Sequence, residues 1–240
     1  MIIPPFSLPS RPVIKITLRE ATVSDLLDFA DLDPGHEEEV TTLFLNRLQD
    51  KATFKDSKEW TGEDRRFGLF WYWLHTTDDC DVAISYQCGH CGEDHTFLQD
   101  YRKLGEGYIS IKGMPERDIE HNGKEYMVKP LTGSDMEYLE AMRGTEEKPG
   151  TSLRAMIGLE RTCRALGVKT DDLLPMACSE YLTLRDKVES SLADMRHGLD
   201  TEQQDGAIHL VLPPHPCLRN KEVTTRVRVS FRPVNLIPAL

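Results

Sequence analysis

Nowhere does this sequence carry a run near the ~20 apolar residues that a membrane span needs. Its first ten residues, Met1-Ile-Ile-Pro-Pro-Phe-Ser-Leu-Pro-Ser10, have neither the basic start nor the unbroken apolar stretch of a signal peptide. Cations are in deficit: 29 Lys and Arg against 40 Asp and Glu leave a net charge of −11. No cluster of Lys and Arg is large enough to build a phosphate-binding face, so neither nucleic acid nor membrane is an expected partner. The 6 cysteines, at 80, 88, 91, 163, 178 and 217, lack the rhythm of a disulfide framework and point to a reducing, cytosolic compartment. Phosphate loops, G-x-S-x-G and H-E-x-x-H motifs are missing, as is any carboxylate pair assignable to one pocket. No stretch names a reaction.

What is present is an ordinary globular composition, 39% hydrophobic and 29% charged, in 240 residues. That length allows one large domain or two small ones with a core that needs no staples. The most informative stretch runs from Thr61 to Asp100. Its first half is a capped helix whose Phe67, Leu69, Phe70, Trp71, Tyr72, Trp73 and Leu74 cover nearly every face, which predicts burial on several sides. Its second half alternates Val82, Ile84 and Tyr86 against Ala83, Ser85 and Gln87, the period of a strand. That strand runs into Cys88-Gly-His-Cys91-Gly.

The whole chain reads as α+β: helical flanks made of strand–capped-helix units around a central β-rich block, with a β segment at the C-terminal end. Residues 1–12, with four prolines, read as an extended arm that reaches onto a partner, with a solvated tail and a fold-back onto its own domain as the alternatives. Residues 13–79 form an N-terminal part with a strand from Val13, a helix from about Thr22 ended by Asp33-Pro-Gly, a helix over 36–50 and the aromatic helix. Residues 80–130 are the β block, in which Asn122-Gly123 marks a type I′ hairpin because both central residues need positive φ. Residues 131–240 hold the remaining helices, a loop at 145–150, a polar loop at 200–206 and the C-terminal strands. In the last strand Val227, Val229 and Phe231 face one way while Arg226, Arg228 and Arg232 face solvent or an acidic partner. The apolar C-terminal end, Asn235 to Leu240, reads with that strand as a second partner-binding element.

Three helices share a start: Thr22-Val-Ser-Asp25, Thr61-Gly-Glu-Asp64 and Thr132-Gly-Ser-Asp135. The Thr hydroxyl accepts from the third backbone N–H, and the Asp reaches back to the N-cap N–H. Leu18 to Leu26 also lines up with Val128 to Met136, which is either coincidence or a duplicated strand–turn–helix unit. On both accounts these residues are structural.

Cys88-x-x-Cys91 is the sharpest site candidate. A glycine after each cysteine on a hairpin tip suits a metal, because the turn aims both sulfurs and backbone N–H groups support the thiolates. Zinc is the expected ion, with a metal-free zinc-hairpin relic as the alternative. Two more ligands are needed. His95 and Cys80 are nearest, followed by His90, His75 and His121, while His215 and Cys217 in the proline corner are distant possibilities. Redox catalysis fits less well, since a redox Cys-x-x-Cys of the thioredoxin kind opens a helix. Cys163 and Cys178 read as small core residues, and His36 to Glu39 and Asp78-Asp79 as solvated faces.

The order of these parts (strand, capped helix, Thr-x-x-Asp aromatic helix, strand ending in Cys-x-x-Cys-Gly, Asn-Gly hairpin, second capped helix) resembles the baseplate-hub and tail-morphogenesis proteins of contractile-tailed, T-even-type bacteriophages. The resemblance covers residues 13–142. It implies a non-enzymatic protein that assembles in the host cytoplasm with other tail and baseplate proteins, as a homo- or hetero-oligomer, and resides in the virion. A transient assembly chaperone absent from the particle is the neighbouring alternative. A zinc-hairpin adaptor of a cellular complex and a thiol-redox enzyme are the alternatives of other classes. Zinc at the knuckle is implied only for Cys88 and Cys91.

Overall fold

The computed structural model describes residues 2–30, 35–144, 150–204 and 207–238. The chain opens with an antiparallel hairpin, β1 (Phe6–Leu8) and β2 (Arg11–Ile16). Helices α1 (Val23–Ala30) and α2 (Glu37–Leu48) follow, then a 3-10 turn at Ser57–Glu59 and α3 (Gly62–Thr76). The hairpin of β3 (Asp81–Gln87) and β4 (Asp94–Asp100) leads through α4 (Tyr101–Glu106) to that of β5 (Arg117–His121) and β6 (Lys124–Val128). Four helices come next: α5 (Gly133–Arg143), α6 (Thr151–Leu166), α7 (Thr170–Leu173) and α8 (Cys178–Asp194). The chain then forms β7 (Thr201–Gln204), β8 (Ala207–Val211), β9 (His215–Pro216), β10 (Thr224–Thr225) and β11 (Arg228–Ser230). Every strand pair is antiparallel; β11, β8 and β7 make a three-stranded sheet and the others pair in twos. The architecture is α+β.

Local rules account for much of this. Asn122 and Gly123 both have positive φ, 51° and 73°, as a type I′ hairpin demands. Gly167 ends α6 in the left-handed conformation, φ 64° and ψ 29°. The expected stop at Asp33-Pro34 and the loop at Thr145–Pro149 lie outside the described residues, as does the end of the expected 200–206 loop. The beginning of that loop is strand instead: β7 pairs with β8, Thr201 opposite Leu210. Cys163 is buried as expected, but Cys178 is exposed at the first residue of α8 and is no core residue.

Two hydrophobic cores organise the molecule. The first gathers Phe6, Leu8, Ile16, Phe44, Leu45, Leu48, Trp60, Phe67, Phe70 and Tyr72 together with Leu199, Leu210, Leu212, Val227 and Phe231. The second is built from Val128, Leu131, Cys163, Leu166, Leu173, Leu184 and Val188. The C-terminal β segment leaves the preceding helices and completes the N-terminal core.

The N-terminal residues are corrected as well. Ile3, Phe6 and Leu8 are buried, the Trp71 indole N–H donates to the Pro4 carbonyl at 2.8 Å, and Phe6 packs edge-on against Trp60 and Phe67. The prolines stiffen the segment, yet the turn at Pro9-Ser10 folds it back onto its own core. The arginines of the last strands find their acids within the chain too, Arg226 and Arg228 on Glu202 and Arg232 on Glu37.

The two cores meet where two of the shared helix starts pair. Thr61 and Thr132 form an antiparallel bridge; the Gly62 N–H donates to Leu131 O at 3.0 Å and the Gly133 N–H to Trp60 O at 2.8 Å. At α5 the reciprocal Thr132–Asp135 box is complete, and Thr22 with Asp25 makes the same exchange at α1. At α3, Thr61 caps the Asp64 N–H, but the Asp64 carboxylate turns to the Ser10 N–H and hydroxyl. The Thr61 hydroxyl also meets Nε2 of the buried His197 at 2.7 Å, while His197 Nδ1 lies 2.7 Å from the Met195 carbonyl. Nδ1 therefore faces an acceptor and carries a proton.

Candidate metal centre

β3 and β4 pair without irregularity from Asp81 opposite Asp100 to Gln87 opposite Asp94, which sets the knuckle at the hairpin end. The Cys88 N–H donates to Glu93 O at 2.8 Å and the Gly92 N–H to Cys88 O at 2.9 Å. Gly92 takes a positive φ of 74°, which a side chain would resist. This tight closure turns both sulfurs to the same side. His95 follows one step into β4, directly across from Tyr86. It is buried, with Nε2 3.4 Å from Cys91 Sγ and Nδ1 3.4 Å from the Tyr86 hydroxyl.

The remaining ligand comes from the C-terminal segment. β9 and β10 form a short hairpin whose loop begins at Cys217, and the Cys217 N–H closes it by donating to Val223 O at 2.9 Å. This repeats the arrangement at Cys88, a cysteine at the strand end with its own N–H closing the turn. The second hairpin docks on the first through several contacts. His215 stacks on Phe97 with ring centroids 4.0 Å apart, His90 Nε2 lies 3.1 Å from Thr224 O, and Arg219 pairs with Glu93. Docking brings one ligand atom each from Cys88, Cys91, His95 and Cys217 within 4.8 Å of one another.

The donor set suits a tetrahedral soft-metal ion. Three sulfurs and an imidazole nitrogen are the Cys₃His combination of structural zinc sites. The 3.4 Å between Cys91 Sγ and His95 Nε2 matches the roughly 3.6 Å expected for sulfur and nitrogen sharing one tetrahedral zinc. Thiolate is favoured at Cys88: the N–H groups of Cys91 and His90 lower its pKa to about 6, helped by the Thr225 hydroxyl 3.6 Å away. Cys91 moves the other way. The Glu93 N–H favours its thiolate, but burial and hydrogen bonds shared with Cys217 and Cys88 outweigh it and raise the pKa. A bound cation would draw all three into the thiolate form. The cluster can hold a metal ion through four protein ligands, the number a tetrahedral site takes.

Of the residues singled out in the sequence, Cys88, Cys91 and His95 belong to the cluster. Cys80 does not: it is buried and its thiol points to the Leu74 carbonyl at 3.6 Å. His75 Nδ1 lies 2.8 Å from its own helix at Trp71 O, His90 turns to the Thr224 carbonyl, and His121 is buried at the end of β5. His215 packs beside the site as a ring on Phe97 and Tyr86, and its neighbour Cys217 is the ligand. No protein-family model, curated protein or solved structure matches this chain. Among the described residues no helix is long and apolar enough to cross a membrane.

Proposed function

We propose that this chain is a non-enzymatic structural component of a contractile phage tail baseplate, with one zinc ion bound by Cys88, Cys91, His95 and Cys217. One observation carries the structural reading: the four ligands come from two hairpins far apart in the chain and converge on one point. A site of that kind fastens the C-terminal segment to the β3–β4 hairpin and keeps no coordination position for substrate, in contrast to catalytic zinc, which retains an open one. The tail assignment rests on the resemblance of residues 13–142 to baseplate-hub and tail-morphogenesis proteins. On this reading the chain works in the virion by assembling with other tail proteins.

Two measurements test the two halves separately. Elemental analysis of protein purified without chelator is expected to find one zinc per chain, and none in the Cys88→Ser, Cys217→Ser double variant. Mass spectrometry of purified virions is expected to find the chain in the tail fraction. Its presence in infected cells but not in particles would instead identify a transient assembly chaperone, and its absence from both would remove the phage reading.

A further inference from the structure

Resting on the zinc reading, we propose that Cys91 is a modification site through which hydroperoxide-class oxidants release the metal by converting two of its thiolates into a disulfide. The four ligands differ in access. Cys88, His95 and Cys217 are 1%, 2% and 1% exposed, whereas Cys91 is partly open to solvent. The glycines on either side, Gly89 and Gly92, are exposed, and a Cβ built on either would meet nothing within 4 Å. Reagent therefore reaches the cluster over the knuckle, at Cys91. The thiolate needed for attack is the form in which zinc holds a cysteine.

Cys91 Sγ attacks one oxygen of the peroxide; the O–O bond breaks, the second oxygen leaves as water after taking a proton, and Cys91 becomes a sulfenic acid. A neighbouring thiolate, Cys88 or Cys217, then attacks the oxidised sulfur, forms the S–S bond and expels hydroxide. Peroxide is reduced by two electrons and the two thiols are oxidised by two. The resolving sulfur is already in place, since all ligand atoms lie within 4.8 Å of one another. Zinc is then left with two of its four ligands and dissociates. The remaining cysteines lack this combination of access and a partner thiol: Cys80 and Cys163 are buried, and Cys178 is exposed but outside the cluster.

The test uses the full zinc-loaded chain, hydrogen peroxide and a chromogenic zinc chelator, with peptide mapping of the oxidised product. Zinc release is expected in step with the loss of two thiols, with Cys91 in the disulfide and Cys178 outside it. In a Cys91→His variant, which keeps a nitrogen ligand at the exposed position, release should be at least about tenfold slower. Independently of how that variant binds zinc, brief iodoacetamide labelling of the wild-type zinc protein gives a second reading, with Cys91 labelled ahead of Cys88 and Cys217. Zinc that stays bound while Cys178 oxidises, release without a disulfide at Cys91, or labelling that begins at Cys88 or Cys217 would overturn this inference alone. A chain that holds no zinc before or after reconstitution would overturn the metal reading and this inference with it.

Discussion

At Asp25 a buried carboxylate accepts from the Arg19 guanidinium at 2.6 and 3.1 Å, from Arg47 Nε at 2.8 Å and from the Thr22 N–H at 2.8 Å. Arg19 above all, with Thr22 and Arg47, outweighs burial and holds its pKa well below the ordinary carboxylate range. A depressed folded-state pKa stabilises the fold fully above the unfolded value near ~4 and loses that contribution as the pH falls toward the folded value. Asp25→Asn should therefore destabilise the chain by about 1–3 kcal/mol at neutral pH, and the gap to wild type should close in acid. Parallel pH–stability curves would show that Asp25 contributes through shape and not charge. Beside the metal cluster, the Tyr86 hydroxyl meets Nδ1 of His95, the nitrogen that a zinc-bound imidazole leaves free. Tyr86→Phe should weaken zinc affinity by about 10-fold or more, read in a competition titration, with the Tyr86 ring packing kept. Unchanged affinity would mean that Phe97 and His215 orient the site by packing alone.

Among the elements, the N-terminal hairpin has the most to lose. Phe6 and Leu8 are buried in the first core, and Ser10 supplies two hydrogen bonds to Asp64, which is 0% exposed. Removing residues 1–10 takes away three buried apolar side chains, Ile3, Phe6 and Leu8, worth ~1.5–3 kcal/mol each, and leaves a buried carboxylate without those donors. Against a total stability of ~5–15 kcal/mol, the truncated chain should lose cooperative melting; a melting curve like wild type would mean that the segment is dispensable packing. The aromatic helix, the Asn-Gly hairpin and the three Thr-x-x-Asp starts were legible in the sequence because each is decided within a few residues. That holds for Cys88, Cys91 and His95, which share one hairpin. The docking of the N-terminal segment was not legible, because proline content reports stiffness and not where a stiff segment lies. Cys217 was legible only as a distant possibility, because its membership depends on the C-terminal segment crossing back to the first core. The usable signal was its place at the start of a short hairpin loop, the position Cys88 occupies in its own.

For the molecule as a whole, the decisive feature is how the two cores are joined. The contact is made by backbone: Thr61 and Thr132 bridge, with Gly62 bonded to Leu131 and Gly133 to Trp60. The guanidinium of Arg65, itself buried, lies against Gly133 and reaches the Glu38 carbonyl and carboxylate. A Cβ at Gly133 would overlap Arg65 Nη1 and come within 2.7 Å of the Ser57 carbonyl. The carbonyl is backbone and cannot swing away, so relief must come from moving the start of α5 off the Ser57–Glu59 turn and off Arg65 of α3. An exposed helical glycine behaves oppositely: Gly158 in α6 is open, and Gly158→Ala should stabilise by ~0.5–1 kcal/mol through lost unfolded-state entropy. Gly133→Ala should instead destabilise by roughly 1–3 kcal/mol, the usual cost of overpacking, although alanine has the higher helix propensity. Since Gly133 contacts the first core while opening a helix of the second, the loss should speed amide hydrogen exchange at both α3 and α5. Faster exchange at α5 alone would show that the first core stands independently of the junction, with the second an appended unit.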